Sequence, residues 1–247
     1  MKALKTNIAN IVTSMNLLCG SLAIYFLFRD ELMLAVYFIL AAAVFDFADG
    51  FVARLLKVKS ELGKQLDSLS DVISFGLAPG VAMFLLLERG LEFWPTGLPG
   101  QAAFCAFLIP IFSAWRLAKF NIDERQTDHF IGLPTPANAL LIFGLVPLSL
   151  GVGFPSWMPL PVGIHYYIIH PALLIPITLV FSYLLVSHLP LIAMKFKTFA
   201  WKENRIRYIF LLLSLLAVLL FYFAAVPLII FLYIILSIID LFIKRKK

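Results

Sequence analysis

The chain has 247 residues, of which 62% are hydrophobic and 14% charged, and its formal net charge is +6. Soluble domains have about 45–50% apolar and about 25% charged residues, so this composition excludes a soluble protein and predicts an integral membrane protein. We expect no appended soluble domain, since the sequence has no long polar stretch.

Apolar runs of spanning length follow one another along the chain. A transmembrane helix needs about 20 apolar residues. The sequence predicts eight such helices, at 11–28, 32–54, 67–87, 101–118, 134–152, 167–189, 207–224 and 226–243. The runs are continuous rather than alternating, which excludes spanning strands. Only a few residues around Ala225 and Pro227 separate the last two runs, so a single bent hairpin or a re-entrant pair is the alternative there.

The basic residues are concentrated in alternate connections between these helices. With a cytoplasmic N-terminus, the cytoplasmic segments are 1–10, 55–66, 119–133, 190–206 and 244–247. Arg54, Arg116 and Arg207 lie at helix ends that face these segments. With them counted, only Arg29 and Arg89 of the 20 Lys and Arg residues fall on the other side. This positive-inside pattern predicts cytoplasmic termini, and it attributes the net charge to topology rather than to nucleic-acid binding.

Four aspartates lie in or beside apolar segments between positions 46 and 71. Asp46 and Asp49 are three apart, and Asp67 and Asp71 are four apart, so each pair shares one face of a helix. A charge in a membrane segment costs at least a few kcal/mol, and four carboxylates repel one another unless a cation lies between them. Oxygen ligands favour Mg²⁺, with Mn²⁺ or Ca²⁺ as alternatives. Metal-bound carboxylates within a membrane protein indicate phosphate chemistry, in which a partly free carboxylate can accept a proton from a hydroxyl.

Small and polar residues accompany the acidic stretch. Gly50 and Ala53 share the helical face of the first two aspartates, which favours either close helix packing or a flat group, such as a nucleotide, against the backbone. The first predicted helix carries a polar stripe of Asn7, Asn10, Thr13 and Asn16. This stripe indicates either hydrogen bonding between helices or a wall of the cavity that holds the aspartates.

Arg116 and Lys119 share a face at the end of the fourth predicted helix. One interpretation is positive-inside anchoring. The other is a second anion-binding patch that faces the acidic site. Arg54, one turn after Gly50, has the same two interpretations: a snorkelling arginine or a group that neutralises phosphate charge.

The acidic stretch matches a known motif, DxxDGxxARx8GxxxDxxxD, at every fixed position. The matching residues are Asp46, Asp49, Gly50, Ala53, Arg54, Gly63, Asp67 and Asp71. On these residues the chain resembles the CDP-alcohol phosphotransferases. The resemblance implies a six-helix membrane core, usually in a homodimer, that transfers a substituted phosphate from a CDP-linked lipid to an alcohol and releases CMP.

Within that family the chain is most similar to the membrane-embedded phosphatidylserine synthases. The likeness is carried by 75–79, 116–121 and 132–137, and the second stretch has Lys119 where arginine is usual, which keeps the charge but loses the planar fork. The resemblance implies that CDP-diacylglycerol and L-serine give phosphatidylserine and CMP. It also implies two Mg²⁺ or Mn²⁺ ions per site. The expected partners are membrane lipid and a second copy of the chain, and nucleic acid is not among them. The site is expected to face the cytoplasm, and the membrane is the cytoplasmic or inner membrane.

The resemblance further assigns roles to individual residues. Two metals would be bound by Asp46, Asp49, Asp67 and Asp71, and Asp71 would also be the base that deprotonates serine. The CDP-lipid would be contacted by Asn7, Thr13, Asp49, Gly50, Ala53, Arg54 and Gly63. The serine carboxylate and the diphosphate would be contacted by Arg116, Lys119 and Asn121.

These expectations describe an all-α, polytopic membrane bundle that forms one domain. Its parts are an interfacial segment at 1–10, a catalytic six-helix core at 11–190 and an extra helix pair at 207–243. One alternative is a family member with another acceptor: glycerol 3-phosphate, inositol phosphate or choline. A remote alternative is an ion-coupled transporter, because acids in membrane helices also mark ion pathways. Such a transporter predicts paired repeats, and the acidic cluster has no second copy in the sequence.

Overall fold

The structure is a computed structural model that describes residues 2–58, 60–122, 130–152, 154–155, 157, 163–192 and 201–245. It begins with a helical hairpin of α1 (Lys2–Phe28) and α2 (Leu32–Leu55). Asp30, with φ 62°, turns the chain between them. Helix α1 runs from Lys2 to Phe28, so the described part of the predicted interfacial segment at 1–10 belongs to the same helix as the first apolar run.

The third helical path, Glu61–Phe93, changes its helix type directly after the acidic stretch. Helix α3 (Glu61–Asp71) continues into a π-helical turn (Val72–Leu77) and then into α4 (Ala78–Phe93). At its start, the Ser60 side chain accepts a hydrogen bond of 2.9 Å from the Gly63 backbone N–H, as an N-cap. Pro79 has no N–H to donate to the carbonyl four residues earlier. The wider π turn lies where that helical bond is lost.

The remaining elements complete an almost entirely helical fold. They are a 3-10 helix (Gly100–Phe107), α5 (Leu108–Ile122), β1 (Phe130–Ile131), α6 (Thr135–Ser149), α7 (Ile164–Ile168), α8 (Pro171–Val186), β2 (Pro190–Leu191), α9 (Trp201–Phe221), a 3-10 turn (Tyr222–Ala224) and α10 (Ala225–Arg245). The two short strands pair antiparallel, with Phe130 opposite Leu191. This pairing joins the segment before α6 to the segment after α8.

Five stretches of the described chain are long and apolar enough to cross a membrane. They are Thr6–Phe28, Leu32–Leu55, Glu61–Phe93, Gly100–Ile122 and Asn204–Phe242. The last contains both α9 and α10, and α6 and α8 are shorter apolar helices. An all-α membrane bundle is therefore confirmed, whereas eight crossings and cytoplasmic termini stay predictions.

Three clusters of buried apolar side chains hold the described part of the bundle together. The largest draws on α1, α2, α4, the first 3-10 helix, α5, α6 and α8, and fully buried Met83 and Leu87 belong to it. The second lies between α6, α8, β2 and α10 and includes Leu141, Ile230 and Tyr233. A small third cluster joins α1, α2, the π-helical turn and α6. Helices α6 and α8 contribute to both larger clusters, so α10 packs on the rest of the bundle through these two helices.

Candidate active site

Three carboxylates converge between α2 and α3. One carboxylate oxygen each from Asp46, Asp49 and Asp67 lies within 4.8 Å of the others. Asp49 is only 7% exposed, and its buried Oδ2 has no hydrogen-bond partner among the described residues. Hard divalent cations take several carboxylate oxygens, and like charges this close disfavour one another. The donor set and the orphaned oxygen therefore fit a divalent metal.

Asp71 is the fourth carboxylate of the site, one turn beyond Asp67 on α3. It is 8% exposed and accepts a hydrogen bond of 3.2 Å from the side-chain amide of Asn16. It also interacts with Asp46 across the site. The structure thus brings all four predicted aspartates together.

Hydrogen bonds between α1 and the third helical path fix the position of Asp71. The Ser70 hydroxyl donates to the Thr13 carbonyl at 3.4 Å, and the Ser74 hydroxyl donates to the Asn16 carbonyl at 3.0 Å. The helices approach closely here, because a Cβ on Gly20 would lie 2.2 Å from the Ser74 Oγ. Asp71 therefore lies between two serines, each of which is hydrogen-bonded to a backbone carbonyl of α1.

A cavity of about 470 Å³ opens beside the carboxylates, between α1, α2 and α3. Its volume lies within the range of small-molecule sites, about 300–1,000 Å³. Five residues of the predicted CDP-lipid set line it, namely Thr13, Asp49, Gly50, Ala53 and Gly63. A Cβ on Gly50 would meet no atom within 4 Å, so this face of α2 is open to the cavity.

Two members of the predicted CDP-lipid set lie outside this cavity. Asn7 is exposed, and the polar stripe of α1 reaches the cavity through Asn10 and Thr13 instead, with Thr6 beside them. Arg54 is also exposed, and its Nε donates a hydrogen bond of 2.9 Å to the Gly50 carbonyl. Lys64, which sequence reasoning did not single out, lines the cavity and contributes a positive charge.

The three predicted serine and phosphate contacts are separated by the structure. Arg116 is 8% exposed, its buried Nε has no partner among the described residues, and it interacts with Asp71 and with Tyr233 of α10. Lys119 is exposed. The Asn121 side chain donates to the Ser68 hydroxyl at 2.7 Å, which ties α5 to α3. Of the three, Arg116 is the buried residue that interacts electrostatically with a site carboxylate, Asp71.

Sequence reasoning gave no specific role to Asn16, which donates a hydrogen bond to Asp71, or to Tyr233, which interacts electrostatically with Arg116. Asn16 had a signal, since it belongs to the polar stripe of the first predicted helix. Tyr233 had none, because an aromatic residue in an apolar run is ordinary in a membrane helix.

Comparisons with known proteins identify the family of the chain. A model of the family described as CDP-alcohol phosphatidyltransferase matches residues 6–239. The chain is similar to the CDP-diacylglycerol–serine O-phosphatidyltransferase of Bacillus subtilis, with 35% identity over 58% of this chain and 79% of that protein. The enzyme of the same name from Helicobacter pylori is 36% identical over 54% of each chain. The one from Methanocaldococcus jannaschii is 37% identical over 57% of this chain and 61% of its own. The match thus spans less than two thirds of the last two relatives.

Proposed function

This chain belongs to the CDP-alcohol phosphatidyltransferase family, and from that premise we propose that it transfers the phosphatidyl group of CDP-diacylglycerol to the hydroxyl of L-serine. The products are phosphatidylserine and CMP. The proposal rests chiefly on the three converging carboxylates beside a cavity, with Asp71 joined to them through Asp46. The names of the Bacillus, Helicobacter and Methanocaldococcus relatives describe the same transfer.

The four aspartates would hold two divalent metals, Mg²⁺ or Mn²⁺. Asp46, Asp49 and Asp67 are the principal ligands in this proposal, because their oxygens converge most closely. A metal bound there supplies positive charge that offsets the diphosphate and polarises the phosphorus.

The cavity between α1, α2 and α3 receives the CDP part of the lipid. Gly50 and Ala53 present a flat stretch of backbone to the nucleotide, and Thr13 lies against Asp49 at the junction with the carboxylates. Lys64 attracts the negatively charged diphosphate. Because the cavity lies between helices within a membrane protein, the lipid tails extend sideways into the bilayer.

Asp71 accepts the proton of the serine hydroxyl as the serine oxygen forms its bond to the lipid-bearing phosphorus. The bond from that phosphorus to CMP breaks, and CMP leaves with the electron pair. General-base catalysis needs a carboxyl group that is held in a defined orientation, which the Asn16 hydrogen bond provides. Arg116 attracts the serine carboxylate to the same side of the site.

The proposal includes the setting of the enzyme. The protein spans the cytoplasmic or inner membrane eight times, as a homodimer, with both termini and the site on the cytoplasmic side. The positive-inside charge pattern supports this orientation. Water-soluble serine and CMP then exchange with the cytoplasm.

A CMP-release assay tests the proposal directly. Purified protein in vesicles receives CDP-diacylglycerol, Mg²⁺ or Mn²⁺, and one alcohol at a time: L-serine, glycerol 3-phosphate, inositol phosphate or choline. We expect CMP release with serine and at most a small rate with the others. Faster release with another alcohol would reassign the acceptor, and no release with any of them would favour an activity other than transfer.

A further inference from the structure

A closed ring of hydrogen bonds, the α3–α5 ring, joins α3 to the C-terminal end of α5. The Lys64 Nζ donates to the Asn121 backbone carbonyl at 2.8 Å, and the Asn121 side-chain amide donates to the Ser68 hydroxyl at 2.7 Å. The Ser68 hydroxyl in turn donates to the Lys64 backbone carbonyl at 3.2 Å. Each of the three residues both donates and accepts, so the position of each one depends on the other two.

Lys64 belongs to this ring and to the wall of the cavity at the same time. It lines the cavity together with Asp67 of α3 and with Gly50 and Ala53 of α2. Ser68 directly follows Asp67 in the chain, so the ring also adjoins one of the three converging carboxylates. The α3–α5 ring therefore holds a cationic side chain in the same wall of the cavity as a carboxylate of the site.

The C-terminal end of α5 is a favourable anchor for an ammonium group. Asn121 is the last residue but one of α5. Backbone carbonyls in the last turn of a helix lie at the negative end of its dipole, where a cation is stabilised. An ammonium has three N–H donors, and the bond to Asn121 uses one of them. The Lys64 ammonium can therefore hold the end of α5 and a phosphate oxygen of a ligand together.

The ring orders a side chain that is otherwise mobile. Lysine has a flexible four-carbon stem, and the freedom of that stem is lost when the ammonium binds a ligand. Lys64 is exposed, so burial alone does not hold its side chain in one conformation. A group that is oriented before the ligand arrives loses less entropy on binding and so binds more tightly.

We propose that Lys64 binds the phosphate that leaves with CMP, and that Asn121 and Ser68 are positioning residues that act through Lys64. The inference rests on the proposed function, in which this cavity receives the CDP part of the lipid. As the bond from the lipid-bearing phosphorus to CMP breaks, negative charge increases on the phosphate of CMP, and the ammonium stabilises that charge. Asn121 thus contributes to binding of the donor and not to recognition of serine.

Equilibrium binding of CMP to the full chain in vesicles, with Mn²⁺ and without an acceptor alcohol, tests this role. The variants are Lys64→Met, Asn121→Leu and the double variant. We expect Lys64→Met to weaken CMP binding at least tenfold, because a charge-assisted contact is lost. Asn121→Leu keeps the ammonium but not its anchor, and we expect a loss of about threefold. The double variant matches Lys64→Met within twofold, because a residue that acts only through Lys64 has no effect without it.

Two further variants control for charge and for folding. Lys57→Met removes the same charge from an exposed lysine outside the lining of the cavity, and we expect CMP affinity within twofold of the wild type. Ser68→Ala breaks the α3–α5 ring from the side of α3, and we expect the same loss as in Asn121→Leu. The thermal midpoint without ligand shows which variants are folded. If Asn121→Leu is not folded, the comparison with Lys64→Met uses Ser68→Ala in its place.

The KM for L-serine separates a role in donor binding from a role in acceptor binding. From CMP release at saturating CDP-diacylglycerol, we expect Asn121→Leu to keep the serine KM within twofold of the wild type. A raised serine KM with unchanged CMP affinity would mean that Asn121 contacts the acceptor, which overturns the inference. Equal CMP affinity in Lys64→Met and the wild type would overturn it as well.

Independent losses in the double variant are the third contrary result. If the loss of CMP affinity in the double variant equals the product of the two single losses, Asn121 does not act through Lys64. Failure of the proposed function is distinct, since it appears in the wild type as an absence of serine-dependent CMP release. The comparison of CMP affinities needs no acceptor and still decides the role of the α3–α5 ring in that case.

Discussion

The side-chain amide of Asn16 donates a hydrogen bond of 3.2 Å to Oδ1 of Asp71, 55 positions later in the chain. Asn16 is fully buried, and the Ser74 hydroxyl donates to its backbone carbonyl at 3.0 Å. The carboxyl group that we propose as the base is thus oriented by a residue of another helix. Its geometry depends on the crossing of α1 with the π-helical turn.

Replacement of Asn16 by leucine, which has a similar shape, removes the donor to Asp71. A hydrogen bond to a charged group contributes about 1.5–3 kcal/mol, so we expect kcat to fall by about 10- to 100-fold. The KM for CDP-diacylglycerol stays within twofold. Ser21→Ala is the control, because Ser21 is exposed on the same helix and donates to the Leu17 carbonyl of that helix. Equal losses in both variants would show that damage to α1, rather than the Asp71 contact, causes the effect.

The variant Asp71→Asn tests the role of the base itself. The amide keeps the size of the side chain but accepts no proton, so we expect turnover to be abolished. Binding of CDP-diacylglycerol remains measurable by equilibrium binding to vesicles, because the three converging carboxylates are intact. Near-normal CMP release by this variant would refute the assignment of Asp71.

The variant Asp46→Asn provides the contrasting case among the acids. Asp46 belongs to the group whose oxygens lie within 4.8 Å of one another, and its loss removes a charged ligand from the metal site. We expect metal binding and CDP-diacylglycerol binding to fall together, measured by calorimetry with Mn²⁺ and by the vesicle assay. Full retention of metal affinity would mean that the other carboxylates suffice.

The spacing of the aspartates and of the α1 stripe predicts which side chains come together, because spacing sets the helical face that each side chain occupies. Gly63 and Asp67 share a face of α3 that lines the cavity, and Asn16 of the stripe donates to Asp71. Apolar periodicity does not predict the π-helical turn that precedes α4. The interaction of Tyr233 with Arg116 depends on how α10 packs on the bundle, which no local pattern encodes.

Two glycine substitutions separate packing from substrate space. A Cβ on Gly20 would lie 2.6 Å from the Ser74 Cα, so the helix backbones must move apart in Gly20→Ala. Overpacking costs about 1–3 kcal/mol, and we expect a lower thermal midpoint together with lower kcat.

The methyl group added in Gly50→Ala meets no atom within 4 Å and instead occupies the cavity. We expect its midpoint to be unchanged or slightly raised and its KM for CDP-diacylglycerol to rise severalfold. A normal KM in Gly50→Ala would place the nucleotide elsewhere.

Arg116 and Lys119 share a helical face, yet the structure predicts different consequences for their substitution. Arg116 is buried beside Asp71, whereas Lys119 is exposed. Arg116→Lys keeps the charge but loses the planar fork that pairs with a carboxylate. We expect its KM for L-serine to rise about tenfold or more, since a charge-assisted hydrogen bond contributes about 1.5–3 kcal/mol. Lys119→Ala changes the serine KM by less than about threefold, because exposed charges contribute about 0–1 kcal/mol. Both values come from CMP release at saturating CDP-diacylglycerol. A larger effect at Lys119 than at Arg116 would move serine recognition from the buried guanidinium to the exposed end of α5.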